Sequence, residues 1–244
     1  METSAEVDLE ESKYYFDLDG TLLKGPASWG ALFSELLART PFVTSGYLAA
    51  LKKVTETSLP DLSVWSPAQK TGLKAAWKRW WHSGRELQKH AKEMLEELAN
   101  PDSPVVQLAV LTGRGESVLR RLTEAELERL EIISYFKSEN ENRIFLKPSG
   151  WSSAAWKMAF LKEQAERSPS TQLVLVENDV RTAVWVSDMA MSLGMRIQVV
   201  LLESIETSSL VLKAIGLNRT ILLEKGIRLV KSLDEITNPG LKTK

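Results

Sequence analysis

The sequence predicts an α/β protein: a Rossmann-like parallel sheet with helices on both faces and an all-helical segment inserted after the first strand. Three observations predict it. Short apolar runs of strand length alternate with stretches of helical spacing, several of those runs end in polar or acidic residues, and a block without strand signals separates the first run from the rest.

Residues 1–11 form an acidic, solvated tail, and "YYFDL" is a short buried strand that breaks at Gly20 and continues as a loop through Gly25 and Pro26. Helices follow in "WGALFSELLART" and "SGYLAALKKVTET", and then in one long stretch from Ser66-Pro67 to Asn100-Pro101, whose ends carry start and stop signals. After Pro104 the strands return. "VVQLAVLTGR" is an apolar strand ending in Thr-Gly-Arg, and "ESVLRRLTEAELERL" has helical spacing. "IISYF" and "RIFLKP" are short strands or loops, "SSAAWKMAFLKEQAER" is a helix begun by a serine cap, and "QLVLVEND" is a strand ending in acids. The helix "RTAVWVSDMAMSLGM", the strand "RIQVVLL", a helix near 205–215 and a final "TILLEKGIRLVKSLDEI" complete the pattern. The expected division is a core of 12–28 and 101–237, a helical insertion of 29–100, and loose tails at 1–11 and 238–244.

Composition narrows the function classes. With 43% hydrophobic and 26% charged residues, the 244-residue chain can bury a sizeable core. A net charge of -1 argues against bulk electrostatic attachment to nucleic acid or membrane. The absence of cysteine removes disulfides, thiolate catalysis and cysteine zinc sites. No basic-apolar leader is seen and no apolar run reaches the about 18 residues of a membrane span, so a cytoplasmic protein is expected.

In an open parallel sheet the functional site lies beyond the carboxyl ends of the strands, near the topological switch point. Asp17 to Thr21, Thr112 to Arg114, Lys147 and Lys157, and Glu177 to Asp179 all fall at or near such ends. In "SKYYFDLDGTLL" an apolar strand runs into two aspartates one residue apart; extended, they face the same way and repel, so a positive group is expected between them.

Taken together, these segments resemble the haloacid dehalogenase superfamily of phosphotransferases. "FDLDGT" matches its first motif, "AVLTG" its second, a lysine follows, and acids follow a later strand; the resemblance spans roughly 12–235, with the helical insertion where that superfamily carries a cap. Thr-Gly-Arg, with "FLKP" and "SAAWKMAFL", is similar to the Swiss-army-knife RNA-repair-type branch.

The resemblance implies a Mg²⁺-dependent phosphatase acting on a phosphate monoester. Asp17 would be the nucleophile that becomes an aspartyl-phosphate, and a divalent cation would offset its repulsion from the phosphate. Asp19 would serve as acid and base, with its main-chain carbonyl on the metal. Gly20 gives the backbone freedom to turn and Thr21 orients the loop. Thr112 and the Gly113 amide would hold a phosphate oxygen, although Thr-Gly also serves as a plain strand-to-helix turn, and Arg114 joins them as a candidate phosphate contact. Lys157, ahead of Lys147, is the candidate phosphate-binding lysine; either is compatible with a surface position. Glu177 would bind the metal directly and Asp179 a metal-bound water, with capping of the next helix as the other use of Asp179. "VENDVR" departs from the family's usual acid pair by placing Asn178 between the two acids.

The segment 68–92 carries Lys70, Lys74, Lys78, Arg79, Arg85, Lys89 and Lys92, with His82, His90 and three tryptophans. It suits a nucleotide or a phosphorylated nucleic-acid end, or simply an amphipathic helix. The expected partner is thus a phosphorylated small molecule, nucleotide or nucleic-acid end, with no membrane and no stable protein partner. A phosphomutase or other phosphotransferase, and a non-catalytic nucleic-acid-binding module on the same fold, are the alternatives.

Overall fold

The structure is a computed structural model that describes residues 11–24, 85–204, 207, 212–213 and 216–237. The helices expected over 29–84, their tryptophans and most of their lysines lie outside the described residues, as do the tails and most of the helix expected near 205–215.

The elements run β1 (Ser12–Phe16), α1 (Ala91–Leu98), β2 (Val105–Gly115), α2 (Glu116–Arg129), a 3₁₀ turn (Ile133–Tyr135), β3 (Ile144–Lys147), α3 (Ser153–Arg167), β4 (Gln172–Glu177), α4 (Val180–Leu193), β5 (Ile197–Leu202), α5 (Arg219–Glu224), β6 (Arg228–Val230) and α6 (Asp234–Thr237). The six strands form one sheet in the order β3-β2-β1-β4-β5-β6, and every neighbouring pair is parallel. The order reverses at β1, which places a switch point between β1 and β4.

Period-2 alternation sorts the core into two layers. Phe16, Leu108, Val110, Val174, Val176, Val200 and Leu202 face one side, where they meet Met94, Leu95 and Leu98 of α1, Leu127 of α2 and Ile236 of α6. Tyr15, Ala109, Leu111, Leu173, Leu175, Val199 and Leu201 face the other, against Phe160 and Leu161 of α3, Ala183 and Val186 of α4, and Leu222 of α5. Each fully buried large apolar side chain contributes about 1.5–3 kcal/mol, so a one-residue slip of any central strand would invert a whole row at prohibitive cost. The register is thereby fixed, and with it the strand-end residues.

Two boundaries differ from the sequence expectation. β1 stops at Phe16, so Asp17 and Asp19 do not share an extended strand; Gly20 turns at φ +95° and the Gly20 and Leu23 amides fold back onto Leu23 and Leu18 carbonyls. The long helix expected to run to Asn100 is interrupted at its C-terminal end. Residues 86–88 pair with 22–24 through Lys24 N–H to Glu86 O and Gln88 N–H to Leu22 O, His90 takes φ +64°, and α1 starts afresh at Ala91. Because Ala91, Met94, Leu95 and Leu98 are buried in the main core, the chain packs on the core before residue 101. No helix among the described residues is long and apolar enough to cross a membrane.

Candidate active site

Register alone brings the first two acids together. Phe16 pairs with Val176 across β1 and β4, and the Asp17 amide donates to the Val176 carbonyl at 2.9 Å, so Asp17 and Glu177 emerge side by side at the switch point. Both follow the parity of Tyr15 and Leu175 and so face the layer that holds α3. On α3 the buried stripe Ala154, Lys157, Leu161 and Ala165 recurs at helical spacing, and Lys157 is its one charged member. The ammonium of Lys157 donates to Asp17 Oδ1 at 2.6 Å and to Glu177 Oε2 at 2.5 Å.

This trio is almost wholly enclosed, with Lys157 at 2%, Asp17 at 6% and Glu177 at 1% exposure. One ammonium cannot neutralise two buried carboxylates, so the trio carries an excess negative charge. Burial pushes the Glu177 carboxyl up to about 7 and raises that of Asp17, in each case only partly opposed by Lys157. Burial would lower Lys157, but Asp17 and Glu177 outweigh it and hold the ammonium above its usual range. Glu177 Oε1 in turn accepts the Asn178 and Asp179 amides at 3.0 and 3.1 Å, which fixes its direction.

Asp19 belongs to a different cluster. Arg114 forks onto it, Nε to Oδ2 at 2.9 Å and Nη2 to Oδ1 at 2.7 Å, and Arg85 Nη1 also donates to Oδ1. Glu126 of α2 accepts from both arginines, from Arg85 through Nε at 2.6 Å and through Nη2, and from Arg114 through Nη1 at 2.9 Å. Thr123 Oγ1 accepts from Arg114 Nη1 at 3.0 Å. Both guanidinium groups are buried, and two arginines with two carboxylates close a neutral tetrad. Burial would raise the Asp19 carboxyl, yet Arg114 and then Arg85 hold it well below the usual carboxylate range. Among the described side chains the two aspartates thus have different hydrogen-bonding cations, a lysine for Asp17 and two arginines for Asp19, with Arg114 also favouring the charge on Asp17.

The remaining predicted residues divide. Thr112 lies buried near the end of β2, where its Oγ1 accepts the Arg114 amide at 3.3 Å, and Gly113 follows it within the strand. Gly20 and Thr21 are tied to the end of β4: Thr21 Oγ1 donates to Asn178 Oδ1 at 3.1 Å, and a Cβ on Gly20 would come within 2.3 Å of Asn178 Nδ2. Lys147 is placed apart from Asp17 and Glu177, donating to the Trp151 carbonyl at 2.8 Å. The Asp179 carboxylate caps α4, accepting from the Arg181 amide at 3.1 Å and the Thr182 hydroxyl at 2.6 Å, which is the second of the two uses the sequence offers.

Sequence reasoning missed three participants. Asn178 is a structural link between the first and last motifs; its position between two acids at a strand end was the available signal. Arg85 sits within a run of basic residues that reads as a solvated face, and Glu126 is one of several acids on α2; their pairing with Asp19 depends on tertiary contact alone.

A cation is tested by the donors present. Among the described residues no group of three or more acidic, histidine or cysteine side chains comes together as a metal cage. Asp17 nonetheless offers Oδ2, which makes no hydrogen bond among the described residues, beside the excess negative charge of the trio. Such a site fits a hard cation that keeps most of its waters, as Mg²⁺ does. Asp17 and Glu177, with the Asp19 carbonyl that the resemblance implies, are the groups that would hold it.

No family model matches the sequence, and no curated protein matches it. Solved structures do. A haloacid dehalogenase-like hydrolase from Streptococcus pneumoniae superposes with a TM-score of 0.55 at 13% identity, over 95% of this chain and 98% of that one. CbbY from Rhodobacter sphaeroides, solved with xylulose-1,5-bisphosphate, gives 0.54 at 14% identity over 93% and 96%. The hydrolase YfnB from Bacillus subtilis, solved with magnesium, gives 0.52 at 11% identity over 96% and 100%. With its strand order, its switch-point acids and these likenesses, the chain has the fold of the haloacid dehalogenase-like hydrolases.

Proposed function

We propose that this protein is a Mg²⁺-dependent phosphatase that hydrolyses a phosphate monoester through an aspartyl-phosphate on Asp17. The observation that carries the reading is Lys157 bridging Asp17 and Glu177 at the switch point, a buried acid-rich pocket with one fixed cation. Structural neighbours named as hydrolases or bound to a sugar bisphosphate agree with it.

The cation, when bound, would screen the phosphate and polarise its oxygens. An Asp17 carboxylate oxygen attacks phosphorus, the bond from phosphorus to the ester oxygen breaks, and that oxygen leaves with the electron pair. Lys157 holds Asp17 in place and offsets the charge that approaches it. Thr112 and the Gly113 amide would meet a phosphate oxygen. Water then attacks phosphorus, gives up a proton, and the Asp17–phosphate bond breaks to free inorganic phosphate. Asp19 would take that proton and return it to the leaving oxygen of the next turnover, its arginines making it a weak base for the one transfer and a ready donor for the other.

The substrate class is a phosphorylated small molecule, a nucleotide or a phosphorylated nucleic-acid end. A panel of these, assayed for phosphate release with Mg²⁺ or EDTA on wild type and Asp17→Asn, tests the proposal. Chelator-sensitive release that the variant abolishes is expected; equal release by both proteins would remove Asp17 from the reaction.

A further inference from the structure

We propose that Arg114 and Arg85, anchored by Glu126, are positioning residues that aim the Asp19 carboxylate, and that through Arg85 this aim depends on the seating of the inserted segment where it rejoins the core. The inference rests on the phosphatase reading above and adds to it the residues that set the geometry of the proton-transfer group.

A single arginine fork already fixes the plane of a carboxylate, because its two parallel N–H groups match both oxygens. Here Arg114 does this from the end of β2, and Arg85 adds a third donor on Oδ1 from another part of the chain. The arginines are themselves immobilised. Glu126 accepts from both, Thr123 accepts from Arg114, and both guanidinium side chains are only 3% exposed. The tetrad has one cation per acid, but its members differ in exposure: the two arginines are 3% exposed and Glu126 11%, while the Asp19 side chain is 31% exposed. That asymmetry, a partly open carboxylate on a closed base, is the arrangement expected of an oriented reactive group.

Arg85 also stands where the inserted segment re-enters the core. Its carbonyl accepts from Arg129 Nη2 at 2.6 Å, and the next residues pair with 22–24, the last residues before the insertion. Gln88 Nε2 donates to the Gly20 carbonyl at 3.2 Å, so the same strap touches the Asp19 loop twice. A shift of residues 85–88 would thus act on Asp19 through Arg85 and on its loop through Gln88.

The test is a double-mutant cycle on turnover of an aryl phosphate, whose leaving group departs without a proton, so that Asp19→Asn retains a measurable rate. Arg114→Lys, Arg85→Lys and Glu126→Gln are each made in wild-type and Asp19→Asn backgrounds, with Asp17→Asn run alongside and thermal melts confirming folded protein. Each single change is expected to lower kcat about tenfold with KM within about twofold, and to cost nothing further once Asp19 is Asn. Equal losses in both backgrounds, a rise in KM in place of the fall in kcat, or a gain in kcat would each overturn the proposal. Should one arginine variant fail to fold, Glu126→Gln, which alters neither the arginines nor Asp19 directly, decides the question. If Asp17→Asn keeps the wild-type rate, the phosphatase reading fails and takes this inference with it; if Asp17→Asn is dead and the cycle is additive, the inference alone fails.

Discussion

Lys157 Nζ lies 2.6 Å from Asp17 Oδ1, across 140 residues of sequence, and completes the contact from a helix that is otherwise apolar on that face. Removing one partner of a buried ion pair leaves the other charges uncompensated. Lys157→Met is therefore expected to destabilise the protein by about 3–5 kcal/mol, read from urea midpoints at pH 7.5. An effect under about 1 kcal/mol would mean that the trio contributes little to the fold.

Glu177 gives stability a pH dependence with a definite sign. Its carboxyl titrates near 4.5 when unfolded and is raised to about 7 in the folded protein, so between those values the folded state binds more protons. Stability from this group is present below about pH 4.5, falls as pH rises to about 7, and levels off above. In chelator, wild type should lose stability across this window relative to Glu177→Gln. Parallel urea midpoints for the two proteins would contradict the assignment.

On the proposed function, a divalent cation would compete with that proton. Mg²⁺ should raise the melting temperature by a few degrees at pH 8 and by much less at pH 6, and Asp17→Asn should erase the effect. A differential scanning experiment with EDTA as the blank checks this without any substrate. A pH-independent shift would place the ion elsewhere.

Gly20 cannot be replaced quietly. It holds φ +95°, and a Cβ there would meet Asn178 Nδ2 at 2.3 Å, so Gly20→Ala should cost about 1–3 kcal/mol and break the Thr21–Asn178 bond. Adding Asn178→Ala should relieve the clash and leave the backbone strain. Simple additivity of the two changes in chemical denaturation would argue against the contact.

The parallel sheet covered on both faces was legible from apolar strand-length runs alternating with helical stretches; the strand order was not, and parity along runs such as "YYF" and "QLVLV" sorts the two faces only once the sheet is formed. The same parity places Asp17 and Glu177, whose partnership follows from register. Lys157 was legible as the favoured candidate ahead of Lys147, and the buried stripe of α3 shows that it is the one facing the sheet. The fate of Asp19 was not legible. Its strand-parity argument failed because β1 ends at Phe16, and its partners Arg85 and Glu126 are brought in by a strap and a helix whose contacts leave no periodic trace. Asp179 shows another case, where a helix cap and an acidic ligand look alike in sequence and only the contacts with the Thr182 hydroxyl and Arg181 amide reveal the cap.

The central claim is that Asp17 itself accepts the phosphoryl group, and trapping that adduct tests it most directly. Enzyme turning over substrate with Mg²⁺ is quenched with borohydride, which reduces an aspartyl-phosphate to homoserine, and the peptide spanning residues 14–24 is read by mass spectrometry. Conversion at Asp17, dependent on substrate and lost with EDTA, is the predicted result. Steady phosphate release with Asp17 unmodified, or modification at another carboxylate, would contradict the account.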